Sequence, residues 1–431
     1  MEATTHLAIA PDSYAGHIQL LCERYQAALR HCQLDAVVIA AGKELPVFLD
    51  DQHYRFKPNP HFVQWVPLTD QPNAWVIYRP GDKPQLVILQ PADFWHATPE
   101  LPDDSYLSHF DVQVFTDAKL ARQAVDDVPG SVAAIDPDKG TSDALQPLLN
   151  FLHYHRAVKS AYEVECMAAA TATALPGHQA AKQAFENGGS EFDIHCAFMQ
   201  AVGCSEHELP YPDIVACNEH AAVLHYQKRT HATDPQSLLI DAGTAVNGYS
   251  SDITRTYAAG DNAFSALISG LDKVQQHLCT LVRPGISFGD LHHEAHTEIA
   301  GLLIDHDILN GKPEKLIKEH ITSAFFPHGL GHFLGIQVHD LGGHMADVEG
   351  TQAPPPADYP HLRMTRSLEP GMALTIEPGI YFIDMLLQDF AGNKAINWQK
   401  VDELRPYGGI RIEDNLVVTE SGATNLTRAA S

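Results

Sequence analysis

Positive charge is what this sequence has least of: 28 Lys and Arg stand against 54 Asp and Glu, a formal net charge of −26. Nucleic acid and anionic membrane surfaces are therefore not expected partners. Any anion-binding site has to be assembled locally from the scarce arginines and the 26 histidines. Cysteine patterning is also missing. The seven cysteines (Cys22, Cys32, Cys166, Cys196, Cys204, Cys217, Cys279) are odd in number and scattered, with no CxxC. That argues against a disulfide framework or a Cys-ligated zinc and for reduced, packed thiols in a cytoplasmic setting. No apolar run reaches spanning length, and no basic-then-apolar segment opens the chain, so neither a membrane span nor export is expected.

A length of 431 residues predicts two domains. The first 150 residues alternate helical and strand-like stretches. An amphipathic run over 13–34 precedes a buried strand over 35–40, and further strands are expected at 74–78, 86–89 and 131–136. Alternation of this kind predicts a small α/β domain. The stretch 150–159, NFLHYHRAVK, reads as a polar joint, and a long helix over 161–187 is closed by Gly188-Gly189. Two segments, 188–193 and 284–290, both end in Ser-x-x-Asp before an amphipathic run, which hints at two similar helix starts and an internal duplication.

The chemistry concentrates in LLIDAGTAVNGYSSDITRTY, residues 238–257. An apolar run delivers Asp241, and Asp252 follows eleven residues later. Between them Asn247-Gly248 predicts a type I′ hairpin turn, which needs positive φ at both central positions. That turn places Asp241 opposite Thr254 and puts Asp241 and Asp252 on one face, about 7–8 Å apart at Cα. Two carboxylates on a buried face repel unless something positive lies between them. The apolar entry argues against a solvent-facing turn; the hairpin suggests a metal site without proving one. Further along, the strand-like run 372–376 ends at Glu377 before a Pro-Gly turn. Alternation over 408–413 puts Arg411 and Glu413 on one face, and His332 sits among three glycines. Four acids in apolar strand contexts with one imidazole form a hard, oxygen-rich set whose charge two divalent ions would balance.

In order and type, Asp241-x10-Asp252, His332, Glu377-Pro378-Gly379 and Arg411-Ile412-Glu413-Asp414 resemble the five metal ligands of the pita-bread metallopeptidases, which include methionine aminopeptidase, aminopeptidase P and prolidase. Two further stretches, FLDDQHYRFKPNPHFVQWVP (48–67) and PHGLGHFLGIQVHDLGGH (327–344), resemble bacterial prolidases and the related organophosphorus acid anhydrolases. The resemblance implies an α/β (α+β) fold. Residues 1–157 would form a small N-terminal α/β domain for pocket closure and dimer contacts. Residues 158–431 would form a pita-bread domain with a pseudo-twofold repeat around a curved, mainly antiparallel sheet. It implies Asp241, Asp252, His332, Glu377 and Glu413 as ligands of two divalent ions, Mn²⁺ first and Co²⁺ or Zn²⁺ as alternatives, with Asp252 and Glu413 bridging. Glu377 would also accept the proton of the attacking water. Substrate roles fall on His225, His339, Arg363 and Arg411, and a proton-route role on His339. His328 resembles an extra active-site histidine, with a supporting role nearly as good a reading. Tyr211 and Asp51 match pocket-wall positions, Asp51 from a partner subunit. The implied activity is hydrolysis of Xaa-Pro dipeptides, by a hydroxide shared between the two metals, in a cytoplasmic homodimer, with organophosphate ester or fluoridate hydrolysis as a side activity. The alternatives are an aminopeptidase P acting on longer peptides, a dedicated organophosphate hydrolase, and a non-enzymatic binding protein on the same fold. Binding proteins of that kind lose ligands, and this sequence keeps all five.

Overall fold

The computed structural model describes residues 9–430, which fall into two units. The first runs to Cys166 and takes in Val246–Tyr249 and Ala346–Thr351. The second holds Met167–Ala245, Ser250–Met345 and the chain from Gln352 on.

In the first unit the fully buried run AVVIA forms β1 (Ala36–Ala40). It is flanked by β2 (Ala74–Tyr78) and β5 (Val132–Ile135), with β3 (Gln85–Leu89) and β4 (Asp111–Phe115) beyond β2. The β1–β2 and β2–β3 pairs are antiparallel, and β1–β5 and β3–β4 are parallel. One face packs Val38, Ile77 and Val87 against Ala121 and Val125 of helix Ala118–Asp126. The stretch 150–159 is more buried than its polar composition predicts. It contains the end of helix Gln146–Arg156, with Arg156 and Lys159 buried and the Lys159 ammonium donating to the Arg156 carbonyl. Long cationic side chains whose stems pack and whose heads find carbonyls are indistinguishable, in composition, from a solvated linker.

In the second unit, β6 (Ile214–Cys217), β7 (Ser237–Asp241) and β10 (Thr254–Ala258) form an antiparallel sheet in the order β10-β7-β6. Between β7 and β10, β8 (Ala245–Val246) and β9 (Tyr249–Ser250) make the tip of the hairpin. Asn247 and Gly248 have φ of 53° and 87°, the pair of left-handed residues a type I′ turn requires. The register follows from it: Asp241 lies opposite Thr254 and Leu239 opposite Thr256. A second antiparallel sheet, β11-β14-β15, is made by β11 (Ala373–Ile376), β14 (Asp414–Val418) and β15 (Ala423–Asn425). A pair forms between β12 (Gly379–Tyr381) and β13 (Gly409–Arg411). The run 408–413 is thus not one strand. It breaks at Ile412-Glu413, where Glu413 leaves β13's partner and bridges Thr254 instead.

Helix Ala161–Glu186 ends where the Gly-Gly pair predicts, with Gly188 at φ 79°. The two helix starts that read alike are not alike. Ser190 and Asp193 form a reciprocal capping box on helix Glu191–Val202, whereas the Ser287 side chain makes no cap bond on helix Phe288–Asp305. No helix among the described residues is long and apolar enough to cross a membrane.

Candidate metal centre

Three threonines sew the sheets together where the acids emerge. The Thr256 hydroxyl donates to the Arg411 carbonyl (2.9 Å) and accepts from the Arg411 amide (3.1 Å). The Thr254 hydroxyl donates to Glu413 Oε2 (2.6 Å). The Thr375 hydroxyl accepts from the His332 amide (3.2 Å), and a Cβ at Gly331 would collide with the Thr375 carbonyl, so only glycine lets the histidine loop approach this closely. Arg255 caps the seam from behind, donating to the carbonyls of Thr254 and Glu413.

These contacts bring Asp241, Asp252, His332, Glu377 and Glu413 to one cavity of about 680 Å³. His332 Nε2 lies 3.3 Å from Asp252 Oδ2, 3.7 Å from Glu377 Oε1 and 4.0 Å from Glu413 Oε1. Its other nitrogen, Nδ1, is 2.9 Å from the Phe333 carbonyl. A carbonyl only accepts, so Nδ1 carries a proton, and in the neutral ring Nε2 turns a lone pair toward three carboxylates. Acceptors facing acceptors in a buried pocket need a cation among them. One ligand atom each from Asp252, His332 and Glu413 lies within 4.8 Å of the others, and all three residues are buried. The donor set and its crowding fit divalent ions.

The electrostatics agree. Burial first, and then the neighbouring carboxylates, push the carboxyls of Asp241, Glu377 and Glu413 upward, with Arg411 and, for Glu377, His332 opposing. Asp252 is the exception. Burial raises it too, but donation from the His332 ring in its protonated form and from the Tyr211 hydroxyl outweighs that and holds it low. His332 mirrors it: burial pulls it down, while Asp252 and Glu377 lift it above the usual histidine range.

The same cavity is lined by His225, His328, His339, Arg363 and Arg411. His225, His339 and Arg363 are exposed there, with the His339 ring edge-on to His332 at 4.4 Å between centroids. Arg411 is not. Its guanidinium donates to Asp241 Oδ2 (2.7 Å), the Tyr381 hydroxyl (2.9 Å) and Thr254 Oγ1 (3.2 Å). His328 Nε2 meets the same Tyr381 hydroxyl at 2.9 Å, and burial drives this histidine down to about 3. Tyr211 donates to both hairpin acids, to Asp241 Oδ1 at 2.8 Å and Asp252 Oδ1 at 2.6 Å. Asp51 is not brought here; it is exposed in a turn of the first unit and does not line the cavity. Sequence reasoning missed Tyr381, whose role depends on β12 pairing with β13, and Thr254, whose hydroxyl serves Glu413 and Arg411 together.

Comparison with known proteins places the chain. The profile of metallopeptidase family M24 matches residues 165–420, and that of the Xaa-Pro dipeptidase N-terminal domain matches residues 12–154. An Xaa-Pro dipeptidase of Shewanella oneidensis is 44% identical over 427 residues, covering 96% of this chain and 97% of the relative. One of Stenotrophomonas maltophilia is 44% identical over 428 residues, covering 97% of each. Among solved structures, Escherichia coli aminopeptidase P with the inhibitor Pro-Leu superposes with a TM-score of 0.69 at 23% identity, covering 98% of this chain and 96% of that one. The zinc-substituted enzyme with product gives 0.70 at 23% over the same shares. The fold is the pita-bread fold, and none of the five candidate ligands is missing from its cavity.

Proposed function

This chain belongs to metallopeptidase family M24, and on that premise we propose that it is an Xaa-Pro dipeptidase holding two divalent ions, Mn²⁺ in the first instance. One observation carries the reading: four carboxylates and the Nε2 of His332 converge on a cavity that the exposed Arg363 and His225 also line. Asp241, Asp252, His332, Glu377 and Glu413 would hold the ions. When bound, the ions would lower the pKa of a water and polarise the scissile carbonyl.

The protein's own groups account for the rest. A dipeptide brings a free carboxylate, for which Arg363 offers a planar fork and His225 or His339 a further bond. Arg411 is spent on Asp241 and Tyr381, so its part is to hold Asp241 and offset its charge. Glu377 accepts the proton released by the attacking water. The same proton, passed on directly or through His339, protonates the proline nitrogen as it leaves. Because an Xaa-Pro bond has no N–H, the site needs no acceptor for one. His328 touches Tyr381 and acts through it on Arg411. A cytoplasmic homodimer, with Asp51 serving the partner's cavity, completes the proposal.

Metal-stripped protein reloaded with Mn²⁺ tests it against Ala-Pro, Ala-Pro-Ala and Ala-Ala. Turnover of Ala-Pro alone, and only with metal, is expected. Turnover of the tripeptide would move the assignment to an aminopeptidase P, and turnover of none with metal bound would leave a binding protein. Paraoxon hydrolysis in the same preparation measures the organophosphate side activity.

A further inference from the structure

His225 sits in a segment with little regular structure, yet its place in the cavity has to be reproducible for it to meet a small ligand. After β6 the chain runs through a short 3-10 turn, Asn218–Ala222, and continues without helix or strand to β7. Ala222, Leu224 and His225 line the cavity from this segment, and His225 is exposed. Ala221 and Tyr226 pack with Ile214, Ala216, Leu239 and Tyr381, and Leu224 lies against them, but His225 itself takes no part in that cluster. Mobile segments carry few buried contacts, and binding residues on them need an outside anchor.

The anchor is one carboxylate outside the cavity. Glu191 opens helix Glu191–Val202 and is completely buried. Its Oε1 accepts from the Cys217 amide (2.9 Å) and from His220 Nδ1 (2.7 Å), at the near end of the segment. Its Oε2 accepts from the Tyr226 hydroxyl (2.9 Å) and from the amide and hydroxyl of Thr230 (both 2.8 Å), at the far end. The rings of His220 and Tyr226 stack across the gap, 4.6 Å apart and 14° from parallel. The Phe192 amide adds a bond to the Thr230 carbonyl. Each oxygen therefore holds one end of the same excursion, and the residues that reach the cavity are those in between.

We propose that Glu191 is a positioning residue for catalysis, a clasp that closes the 217–230 segment and thereby sets His225 in the substrate cavity. The proposal rests on the reading that His225 meets the substrate. Five donors on one carboxylate also fit its titration. Burial raises the group, but the amides of Cys217 and Thr230 and the side chains of His220 and Thr230 outweigh burial and keep it below the usual range. A carboxylate is the right group for the task because all of its hydrogen-bonding capacity is acceptor. In Glu191→Gln the shape is kept, but one oxygen becomes an NH₂ facing donors, so one end of the segment is released while the other stays.

The test uses the full-length Mn²⁺-loaded protein with Ala-Pro as substrate. Glu191→Gln is expected to raise KM roughly tenfold while kcat stays within about threefold, the pattern of lost uniform binding. Metal content should be unchanged, and amide exchange should quicken in 218–230 and not in the helices behind it. His225→Ala should raise KM comparably, and the double variant should be no worse than His225→Ala, since the two act through one contact. Should Glu191→Gln fail to fold, Tyr226→Phe and Thr230→Val each remove a single donor and should raise KM by roughly two- to threefold. A Glu191→Gln protein with lower thermal stability but unaltered KM, or one losing kcat and metal together, overturns the proposal. If His225→Ala itself leaves KM unchanged, the substrate role of His225 has failed. The exchange pattern then judges the clasp alone: quickening confined to 218–230 supports it, and an unaltered segment overturns it.

Discussion

The second unit buries carboxylates in two kinds of surroundings, a short distance apart along the chain. Glu413 and Asp414 are neighbours, both buried. Asp414 is met by Arg255 (2.7 Å), Arg428 (2.6 Å) and Asn425 (2.8 Å), and although burial raises it, these charges and donors hold it low. Glu413 has the Thr254 hydroxyl and the His332 ring at 4.0 Å, and burial together with Asp252, Glu377 and Asp241 pushes it well up against the pull of Arg411. Strand alternation sends one side chain to each face. One face is a finished ion network that holds helix Leu426–Ala429 against β14. The other is left short of positive charge. Asp213, paired with His195 and Arg229, and Glu191 belong with Asp414. What separates a structural acid from a working one here is the balance of donors around it, not its burial.

The largest effect should come from emptying the unfinished side of a ligand. Asp252→Ala removes the acid that lies nearest His332 and that Tyr211 also holds. Hydrolysis of Ala-Pro is expected to fall at least about a thousandfold, with metal content falling in parallel. Retained metal and activity within about tenfold would place the ions elsewhere.

On the finished side the effect should be on folding. Asp414→Asn leaves Arg255 and Arg428 without their shared anion, and breaking a buried pair from one side costs about 3–5 kcal/mol. Urea unfolding of the metal-free protein should show that loss. A change under about 1 kcal/mol would mean that the network is no more than a surface pair in energetic terms.

The histidines divide in the same way, which gives a pH test. Among carboxylates His332 is lifted, whereas His292 and His296 have no acid beside them. Burial, then the nearby His328 and His293 for His292, and then His292, His293 and His320 for His296, drive them down to about 3 and about 2. His296 bonds the Thr322 hydroxyl, both rings pack on Tyr359 and Phe326, and His292 Nδ1 has no partner. A folded pKa below the unfolded value means that the unfolded chain binds more protons below about pH 6.5, so stability is full above that and drops as pH falls. For one such group the loss between about pH 7 and about pH 5 is about 2 kcal/mol. In His292→Leu the drop in urea-unfolding free energy over that range should be smaller by about this amount. An equal drop in variant and parent would show that the ring is not held neutral.

This division into finished and unfinished sides explains which parts of the molecule were legible in the sequence. The hairpin was, because Asn247-Gly248 fixes a turn and a turn fixes a register; Asp241 opposite Thr254 needed no knowledge of the rest of the fold. The acids in strands were, because an apolar run that ends in a carboxylate is conspicuous. The donors were not. Tyr211 reaches Asp252 across 41 positions, Arg428 reaches Asp272 across 156, and the Glu191 partners are spread over 217–230. Nothing local distinguishes a tyrosine that will hold two acids from one that fills a core. Arg411 shows the same limit from the other side. Its residue type fits a substrate carboxylate, and only the geometry reveals that its fork is occupied.

The smallest effect is the sharpest, because its sign changes with metal. In metal-free protein Glu413 is one of three acids crowding His332, and its neutral analogue keeps the shape and an oxygen for the Thr254 hydroxyl. Glu413→Gln removes repulsion without leaving a donor unpaired, so the metal-free variant should be more stable than its parent by about 1 kcal/mol. Asp414→Asn, one residue away and equally buried, should do the opposite. With Mn²⁺ present the order for Glu413→Gln should reverse. The parent gains stability in proportion to the logarithm of metal concentration over its dissociation constant, and the variant, short of a ligand, gains less. Thermal unfolding with chelator and then with added Mn²⁺ reads both arms. A Glu413→Gln protein less stable than its parent even with chelator would mean that the acid is held by donors after all. In that case the distinction between the surroundings of Glu413 and Asp414 would disappear.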